Sequence, residues 1–328
     1  MRRANERLEL IIPTIPEDFL RMKRDLSSFF KMLPISEMIF IGPEKLGDYV
    51  GETKKGCSES GRIRFLNEDE IIPKHAVTEA MKKRLLKDGY SMDQNSRPGW
   101  YYQQFLKMAF SDYSKSLYYM TWDADTIPLR KKEMFNSEGK PYFDIKPEYN
   151  PGYFKTIGNL FNIDRQISNS FISEHMVFSR DYMKELIVEI ENLDYYGTFF
   201  YEKILNAIDL DNMKWGFSEF ETYGNWMLAR HPDEYELRSW HSMRMGGYFL
   251  NSSDLSDEDI EWLSTDFDAI SFEGYNKTVP ELSEAFYNKD YRSRFRSGQF
   301  YTMLLENGFL GDYQDSMLKG SEGIFYPT

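Results

Sequence analysis

The most informative stretch of the sequence runs from Leu117 to Pro128 and reads LYYMTWDADTIP. It is a mostly apolar run, typical of a buried β-strand, that ends abruptly in Asp123-Ala124-Asp125. Because side chains alternate between the two faces of a strand, we expect Asp123 and Asp125 to point the same way. Paired carboxylates are costly to bury without a cation, and they are the oxygen ligands that Mg²⁺ and Mn²⁺ prefer. The stretch therefore predicts a divalent metal site able to hold phosphate oxygens.

Length and composition indicate one large α/β domain with an appendage. The 328 residues are 41% apolar and 16% aromatic, which is enough for a sizeable core. A net charge of −13 argues against a nucleic-acid partner, because phosphate contacts require a basic surface. The single cysteine, Cys57, fits a reducing compartment, and no apolar run approaches the roughly 20 residues of a membrane span. We therefore predict a soluble, cytoplasmic protein.

Strand and helix patterns alternate in the first part of the chain. Apolar runs predict strands at 8–13, 38–41 and 63–66, and helical spacing predicts helices at 17–33, 76–87 and 100–110, with a loop at 51–61. This alternation predicts a mostly parallel sheet with helices on both faces. Ligands of such sheets bind outside the carboxyl ends of the strands, which is where the Asp pair falls.

The pattern changes after Arg130. We expect loops and short strands over 131–169, a strand over 171–178, and helices over 180–193, 198–208 and 218–230. We predict a catalytic domain over residues 1–251, with a nucleotide-sugar half at about 1–130 and an acceptor half at about 131–251. Residues 252–328 are predicted to form a C-terminal extension.

Several motifs together resemble GT-A glycosyltransferases. They are WDADTIPLR at 122–130, GWYYQQFLKMAF at 99–110, ISEHMVFSR at 172–180 and FSEFETYGNW at 217–226. The chain is most similar to a bacterial group found in capsule, exopolysaccharide and lipopolysaccharide gene clusters, and it also resembles galactofuranosyltransferases. The resemblance extends from the first strand to about Tyr248 and implies a GT-A-like fold with a mostly parallel central sheet.

The resemblance also implies a donor and a metal. Asp125 would bind Mn²⁺ or Mg²⁺, and Asp123 would contact the ribose or the metal. His241 resembles the late histidine that binds the metal or the diphosphate, with a structural histidine as the alternative. The implied donor is a UDP-sugar, such as UDP-galactofuranose or UDP-galactose, and the implied acceptor is a glycan or lipid-linked glycan of the bacterial surface.

Two carboxylates are candidates for the catalytic base of an inverting transfer. Glu219 and Glu221 open the predicted helix after Ser218, and either could accept the proton of the acceptor hydroxyl. Glu221 stands in a capping-box position and has capping as its alternative role, so we favour Glu219. A base at a helix N-terminus is expected to have a lowered pKa.

Four further residues are candidate donor contacts. Thr14 and Asp69 follow predicted strands, Arg97 precedes the helix before the Asp strand, and His175 lies in an apolar run. Arg97 could bind phosphate bidentately or cap its loop. For His175 a buried structural role is the alternative, and for Asp69 a solvated loop acid.

The segment from Tyr291 to Tyr301 interleaves Arg292, Arg294 and Arg296 with aromatic residues. This pattern could lie on an anionic membrane surface at the inner face of the cytoplasmic membrane, where a lipid-linked acceptor would be found. A solvated helix face is the alternative and the favoured interpretation.

Three rival functions remain open. A phosphatase of the haloacid dehalogenase type would use WDADT with Asp123 as nucleophile, and 311–315 resembles its late acidic motif. Against it, several strand and helix units precede the Asp strand. A nucleotidyltransferase would require a Gly-rich basic loop after the first strand, which 12–16 lacks. A non-catalytic sugar-binding module is the third alternative.

Overall fold

A computed structural model describes residues 7–23, 26–274 and 276–310. Its main sheet has five strands in the order β3-β2-β1-β4-β7. These are β1 (Leu8–Pro13), β2 (Ile35–Gly42), β3 (Ile63–Asn67), β4 (Tyr118–Trp122) and β7 (His175–Ser179). β1 to β4 are parallel and β7 runs antiparallel to β4, so β4 lies between a parallel and an antiparallel neighbour.

The described helices flank this sheet and then continue into the C-terminal part. They are α1 (Pro16–Met22), α2 (Leu26–Met32), α3 (Glu44–Lys54), α4 (Glu68–Ile71), α5 (Lys74–Lys87), α6 (Pro98–Ala109), α7 (Pro151–Phe161), α8 (Arg180–Glu191), α9 (Phe200–Ala207), α10 (Glu219–Arg230), α11 (Gly246–Phe249), α12 (Asp257–Leu263), α13 (Pro280–Phe286), α14 (Lys289–Arg294) and α15 (Ser297–Glu306).

Both faces of the main sheet are buried. Ile11 and Tyr119 pack into one hydrophobic cluster with residues of α6, α8 and α10. Their neighbours Leu10 and Met120 pack into a second cluster on the opposite face, with residues of α1 and α2. The alternation of strand side chains explains this division, and it confirms the predicted α/β fold with a mostly parallel central sheet.

The carboxyl ends of the parallel strands meet at one edge. Gly42 ends β2 so close to the turn after β1 that a Cβ atom would lie 2.3 Å from the Thr14 carbonyl oxygen. A side chain there would force the two strand ends apart. The edge that carries the candidate site is therefore closely packed, and Asp123 follows directly after β4 at the same edge.

Two smaller sheets complete the described structure. One joins β5 (Thr126–Pro128), β10 (Ala269–Ser271) and β9 (Ser242–Met243), and the other joins β6 (Tyr142–Ile145) and β8 (Glu236–Ser239). A third hydrophobic cluster combines Ile127, Leu129 and Met243 with apolar residues of 249–310. The chain after 251 thus packs against β5, the strand that follows the Asp pair, and a domain boundary at 251 remains a prediction.

Some predicted elements differ from the structure. The helix predicted over 17–33 is two helices, α1 and α2, and α3 extends into the region predicted as the loop 51–61. Helix α7 lies within 131–169, where loops and short strands were expected. Asn150 caps α7 by accepting the Gly152 N–H at 3.0 Å, and Pro151 stands at its first position. These local signals favour a helix start even in a Gly- and Asn-rich stretch.

Within the described ranges, no helix has the length and apolar content that a membrane span requires. Two arginines of 291–301, Arg292 and Arg296, contact acidic residues of the protein itself. Arg292 pairs with Asp259, and Arg296 pairs with Asp266 at 2.7 Å. These contacts do not support the predicted membrane surface.

Candidate active site

The Asp pair lies in a turn, not on a strand. β4 ends at the fully buried Trp122, and the Thr126 N–H donates to the Asp123 carbonyl at 3.1 Å, which closes a turn before β5. The expected strand alternation of Asp123 and Asp125 is therefore wrong, because the chain leaves the sheet between them. The predicted position at the carboxyl end of the central strand is correct.

A buried lysine joins Asp123 to Glu219. The Nζ of Lys107 lies 2.7 Å from Oδ1 of Asp123 and 2.7 Å from Oε1 of Glu219. The Lys107 and Glu219 side chains are 3% and 4% exposed, whereas Asp123 is 34% exposed. The bridge therefore runs from the protein interior to the surface of the site.

Sequence reasoning did not find Lys107. It stands on α6 among buried apolar neighbours such as Leu106 and Met108, so its ammonium must find partners inside the protein. Burial lowers the pKa of Lys107, but Asp123 and Glu219 outweigh this effect and raise it. A lone lysine on an apolar helix face is a signal that could have predicted the bridge.

Glu219 is held at the start of α10. Its backbone N–H donates to the side-chain oxygen of Gln104 at 3.1 Å, so α6 positions both partners of the bridge. Burial raises the pKa of Glu219, and Lys107 opposes the rise without cancelling it. The predicted lowering of this pKa is therefore wrong, because loss of solvent outweighs the favourable helix terminus.

Glu221 is buried, like Glu219, but it has different partners. Its carboxylate accepts hydrogen bonds from Ser170 Oγ at 2.5 Å and from Asn225 Nδ2 at 3.2 Å. Ser218 caps α10 as predicted, since its Oγ accepts the Glu221 N–H at 3.3 Å, but the Glu221 carboxylate bonds elsewhere. Burial, together with the Glu148 charge, raises the pKa of Glu221 to about 7.

Burial and, to a smaller extent, neighbouring carboxylates act on Asp125. Burial raises its pKa to about 7, and the charges of Glu273 and Asp123 add to the rise, while the Arg244 guanidinium opposes it. The turn is tied to the C-terminal part of the chain, because the Phe272 N–H donates to the Asp125 carbonyl at 2.7 Å. Glu273 and Arg244 were not predicted from the sequence.

Glu174 is a buried neighbour of the Asp turn. Its carboxylate lies 2.7 Å from Lys146 Nζ and 3.3 Å from Arg244 Nε. Burial acts to raise the pKa of Glu174, but the two cations outweigh it and lower the pKa to about 2. The Glu174 carbonyl oxygen accepts the Asp123 N–H at 2.8 Å, which connects Glu174 to the Asp turn.

The two predicted histidines make contacts with other parts of the protein. His175 is buried, with Nδ1 2.8 Å from the Ser173 carbonyl and Nε2 2.9 Å from Asp144, and its ring stacks on Trp122. Both ring nitrogens thus contact protein atoms, which agrees with the structural alternative, and a sugar contact remains a prediction.

The His241 N–H donates to the Asp268 carboxylate at 3.1 Å, and the His241 carbonyl accepts the Asp268 N–H at 2.6 Å. Burial lowers its pKa. Its role as a metal or diphosphate ligand remains a prediction.

The other three predicted residues lie on separate segments of the chain. Thr14 is buried after β1, and the exposed Asp69 accepts the Lys74 N–H at 2.7 Å in the first turn of α4. The Arg97 guanidinium stacks on two tryptophans, 4.7 Å from the ring centroid of Trp100 and 4.2 Å from that of Trp215. Their donor contacts remain predictions. The acidic motif at 311–315 lies outside the described residues.

The chemistry of the Asp turn fits a hard cation in part. Asp123 and Asp125 offer carboxylate oxygens, and a divalent ion would relieve the repulsion that raises the Asp125 pKa. In the part of the chain that the structure describes, no group of three or more His, Cys, Asp or Glu side chains is arranged to hold a metal.

Comparisons with solved structures show distant likenesses to glycosyltransferases. Mouse xyloside xylosyltransferase 1 in its apo form has a TM-score of 0.46 and 12% identity, over 84% of this chain and 99% of that one. Galactosyltransferase LgtC with donor and acceptor sugar analogues has a TM-score of 0.42 and 11% identity, over 88% and 100%. GlyE of Streptococcus pneumoniae TIGR4 has a TM-score of 0.40 and 8% identity, over 98% and 67%. TM-scores below 0.5 do not assign an activity to the chain.

No curated protein matches the sequence significantly. A family model does match, and it covers residues 9–278, which include the main sheet, the Asp turn and β10. This chain therefore belongs to the family of unknown function DUF6492.

Proposed function

We propose that this chain is a metal-dependent glycosyltransferase that moves a sugar from a nucleotide-sugar to a glycan acceptor. The observation that supports this most is the Asp123–Asp125 turn at the carboxyl end of β4, linked through Lys107 to the buried Glu219. Such an edge of a parallel sheet is where ligands bind in α/β proteins. By resemblance, the donor is a UDP-sugar such as UDP-galactofuranose or UDP-galactose.

The Asp turn would hold the diphosphate through Mn²⁺ or Mg²⁺. The ion would act as a Lewis acid that neutralises the charge developing on the leaving diphosphate. Asp125 and Asp123 would supply its protein oxygens, and the contact with Lys107 would keep the Asp123 carboxylate oriented.

Glu219 is the proposed base of an inverting transfer, and Glu221 is the alternative. Glu219 shares the Lys107 ammonium with Asp123, so its carboxylate stands beside the metal-binding turn. The raised pKa of either carboxyl group suits proton acceptance better than an ordinary carboxylate would. By resemblance, the acceptor is a bacterial surface polysaccharide or a lipid-linked glycan.

The test is a transfer assay with a panel of nucleotide-sugars, with and without Mn²⁺. We expect release of a nucleoside diphosphate from one donor, dependent on Mn²⁺ and abolished by Asp125→Asn. Asp48→Asn, an exposed carboxylate on α3, is the matched control and should retain activity. Phosphate release from small phosphoesters, or nucleotidyl transfer from a triphosphate, would instead support one of the rival enzymes. Proton NMR of the product would show inversion or retention, and retention would overturn the base assignment.

A further inference from the structure

Glu174 has an unusual backbone conformation for its position. Its φ is +62°, in the left-handed region that non-glycine residues rarely adopt, and its side chain is 3% exposed. Such strain persists only where the surrounding contacts enforce it, and it is common near functional sites. The residue directly precedes β7, and its carbonyl accepts the Asp123 N–H at 2.8 Å.

The carboxylate of Glu174 connects several separate segments. Oε1 binds Lys146 just after β6, at 2.7 Å. Oε2 accepts hydrogen bonds from Trp240 Nε1 at 2.9 Å and from Ser242 Oγ at 2.8 Å. These contacts hold residue 174 in its strained conformation, so they also fix the direction of the carbonyl that the Asp turn uses.

Arg244 extends the same network around the site. It lies 3.3 Å from Glu174, 3.1 Å from Glu148 and 3.4 Å from Glu273. Its positive charge also acts on Asp125. Glu174 therefore contacts the turn through its backbone, and its carboxylate pairs with Arg244, whose charge acts on Asp125.

We propose that Glu174 is a positioning residue for the Asp123–Asp125 turn and for Arg244, and thereby sets the affinity of the site for a metal–diphosphate group. This inference rests on the proposed function for its ligand, but the order of the turn can be measured without any ligand. Glu174 itself contacts no reacting atom in this role.

The test separates positioning from stability. Glu174→Gln alone would leave the Lys146 ammonium buried without a counter-ion, so the central variant is Glu174→Gln with Lys146→Met. We expect the double variant to melt near the wild-type temperature. Amide exchange over 122–127 should nevertheless rise about tenfold, and the Kd for UDP with Mn²⁺ should weaken about tenfold, as is typical when a supporting contact is lost.

A matched control removes a buried ion pair elsewhere. Asp259→Asn with Arg292→Met lies in the C-terminal cluster and should leave exchange over 122–127 and UDP binding unchanged. Glu174→Asp keeps the charge but shortens the side chain, and it should show the same two changes in smaller measure, even if the double variant does not fold.

The proposal would be overturned if the double variant recovered wild-type amide exchange and UDP binding together with its melting temperature. It would also be overturned if Glu174→Asp kept wild-type values of both. If the wild-type protein binds no UDP with Mn²⁺, the proposed function fails. The exchange measurement still decides the role of Glu174 in that case.

Discussion

At the scale of single residues, the ammonium of Lys107 is the group that joins the interior of the protein to the site. It forms ion pairs with both Asp123 and Glu219, each at 2.7 Å, and the Lys107 side chain is 3% exposed. Removing one member of a buried ionic group leaves the other charges without compensation, which costs more than the interaction itself contributes. The bridge can therefore be tested by stability alone, without knowledge of the substrate.

Lys107→Met is expected to lower the free energy of unfolding by about 3 kcal/mol, because Glu219 then keeps a buried charge without a partner. Adding Glu219→Gln should recover most of that loss. Urea unfolding measures both variants. Lys82→Met, on the exposed face of α5, is the control and should change stability by less than about 0.5 kcal/mol. A loss below about 1 kcal/mol for Lys107→Met would contradict the bridge.

The raised pKa of Glu221 predicts that the stability of the protein depends on pH. Burial raises its pKa to about 7 in the folded protein, well above the value of an exposed carboxyl group. As the pH rises from about 4.5 to about 7, the unfolded chain loses this proton and the folded protein retains it, so stability falls. Below that range Glu221 is protonated in both the folded and the unfolded state, so it makes no contribution to the pH dependence of stability.

Glu221→Gln should remove this fall in stability. The variant should exceed the wild type by up to about 3 kcal/mol in unfolding free energy at about pH 8, and by much less at about pH 5. Urea unfolding at both pH values gives the comparison, with the exposed Glu284→Gln as control. A constant difference between variant and wild type across the pH range would show that burial does not raise this pKa.

At the scale of elements, α10 is packed against the loop before β7 through a glycine. A Cβ atom at Gly224 would lie 2.4 Å from the Phe171 ring. The close approach of helix and loop therefore requires glycine at this position, although glycine has a poor helix propensity. That loop carries Ser170, which binds Glu221, and leads to Glu174. The contact therefore sets the distance between α10, which carries Glu219 and Glu221, and the loop that leads to Glu174.

Gly224→Ala is predicted to destabilise the protein by about 1–3 kcal/mol through overpacking, despite its gain in helix propensity. The matched control is Gly158→Ala on α7, where a Cβ atom meets nothing within 4 Å. This control should stabilise the protein by up to about 1 kcal/mol. Thermal unfolding of both variants gives the answer, and equal effects of the two would show that the Phe171 contact is not tight.

At the scale of the whole molecule, the sequence predicted the sheet better than the site. Runs such as 8–13 and 117–122 carry the strand signal locally, and their order along the chain is enough to predict parallel pairing and the edge where Asp123 lies. Lys107, Glu174 and Arg244 were missed because their roles depend on contacts between distant segments. Burial, which reversed the expected direction of the Glu219 pKa, is likewise a property of the assembled fold.

The C-terminal part is predicted to be necessary for the folded state. β10 pairs with β5, and apolar residues of 249–310 cover Ile127 and Leu129. A chain that ends at Asn251 would expose this cluster and lose the Phe272 hydrogen bond to Asp125. We expect it to aggregate or to unfold without cooperativity in calorimetry. A cooperative transition with wild-type affinity for UDP and Mn²⁺ would show that residues 1–251 form an independent domain.

The most direct measurement of the central claim is titration calorimetry of UDP into the full chain, with and without Mn²⁺, for the wild type and for Asp125→Asn. We expect binding that strengthens at least about tenfold with Mn²⁺ in the wild type and loses this dependence in the variant. A wild-type protein that binds no UDP in the presence of Mn²⁺, or an Asp125→Asn variant that binds it with unchanged metal dependence, would contradict a metal–diphosphate site at the end of β4.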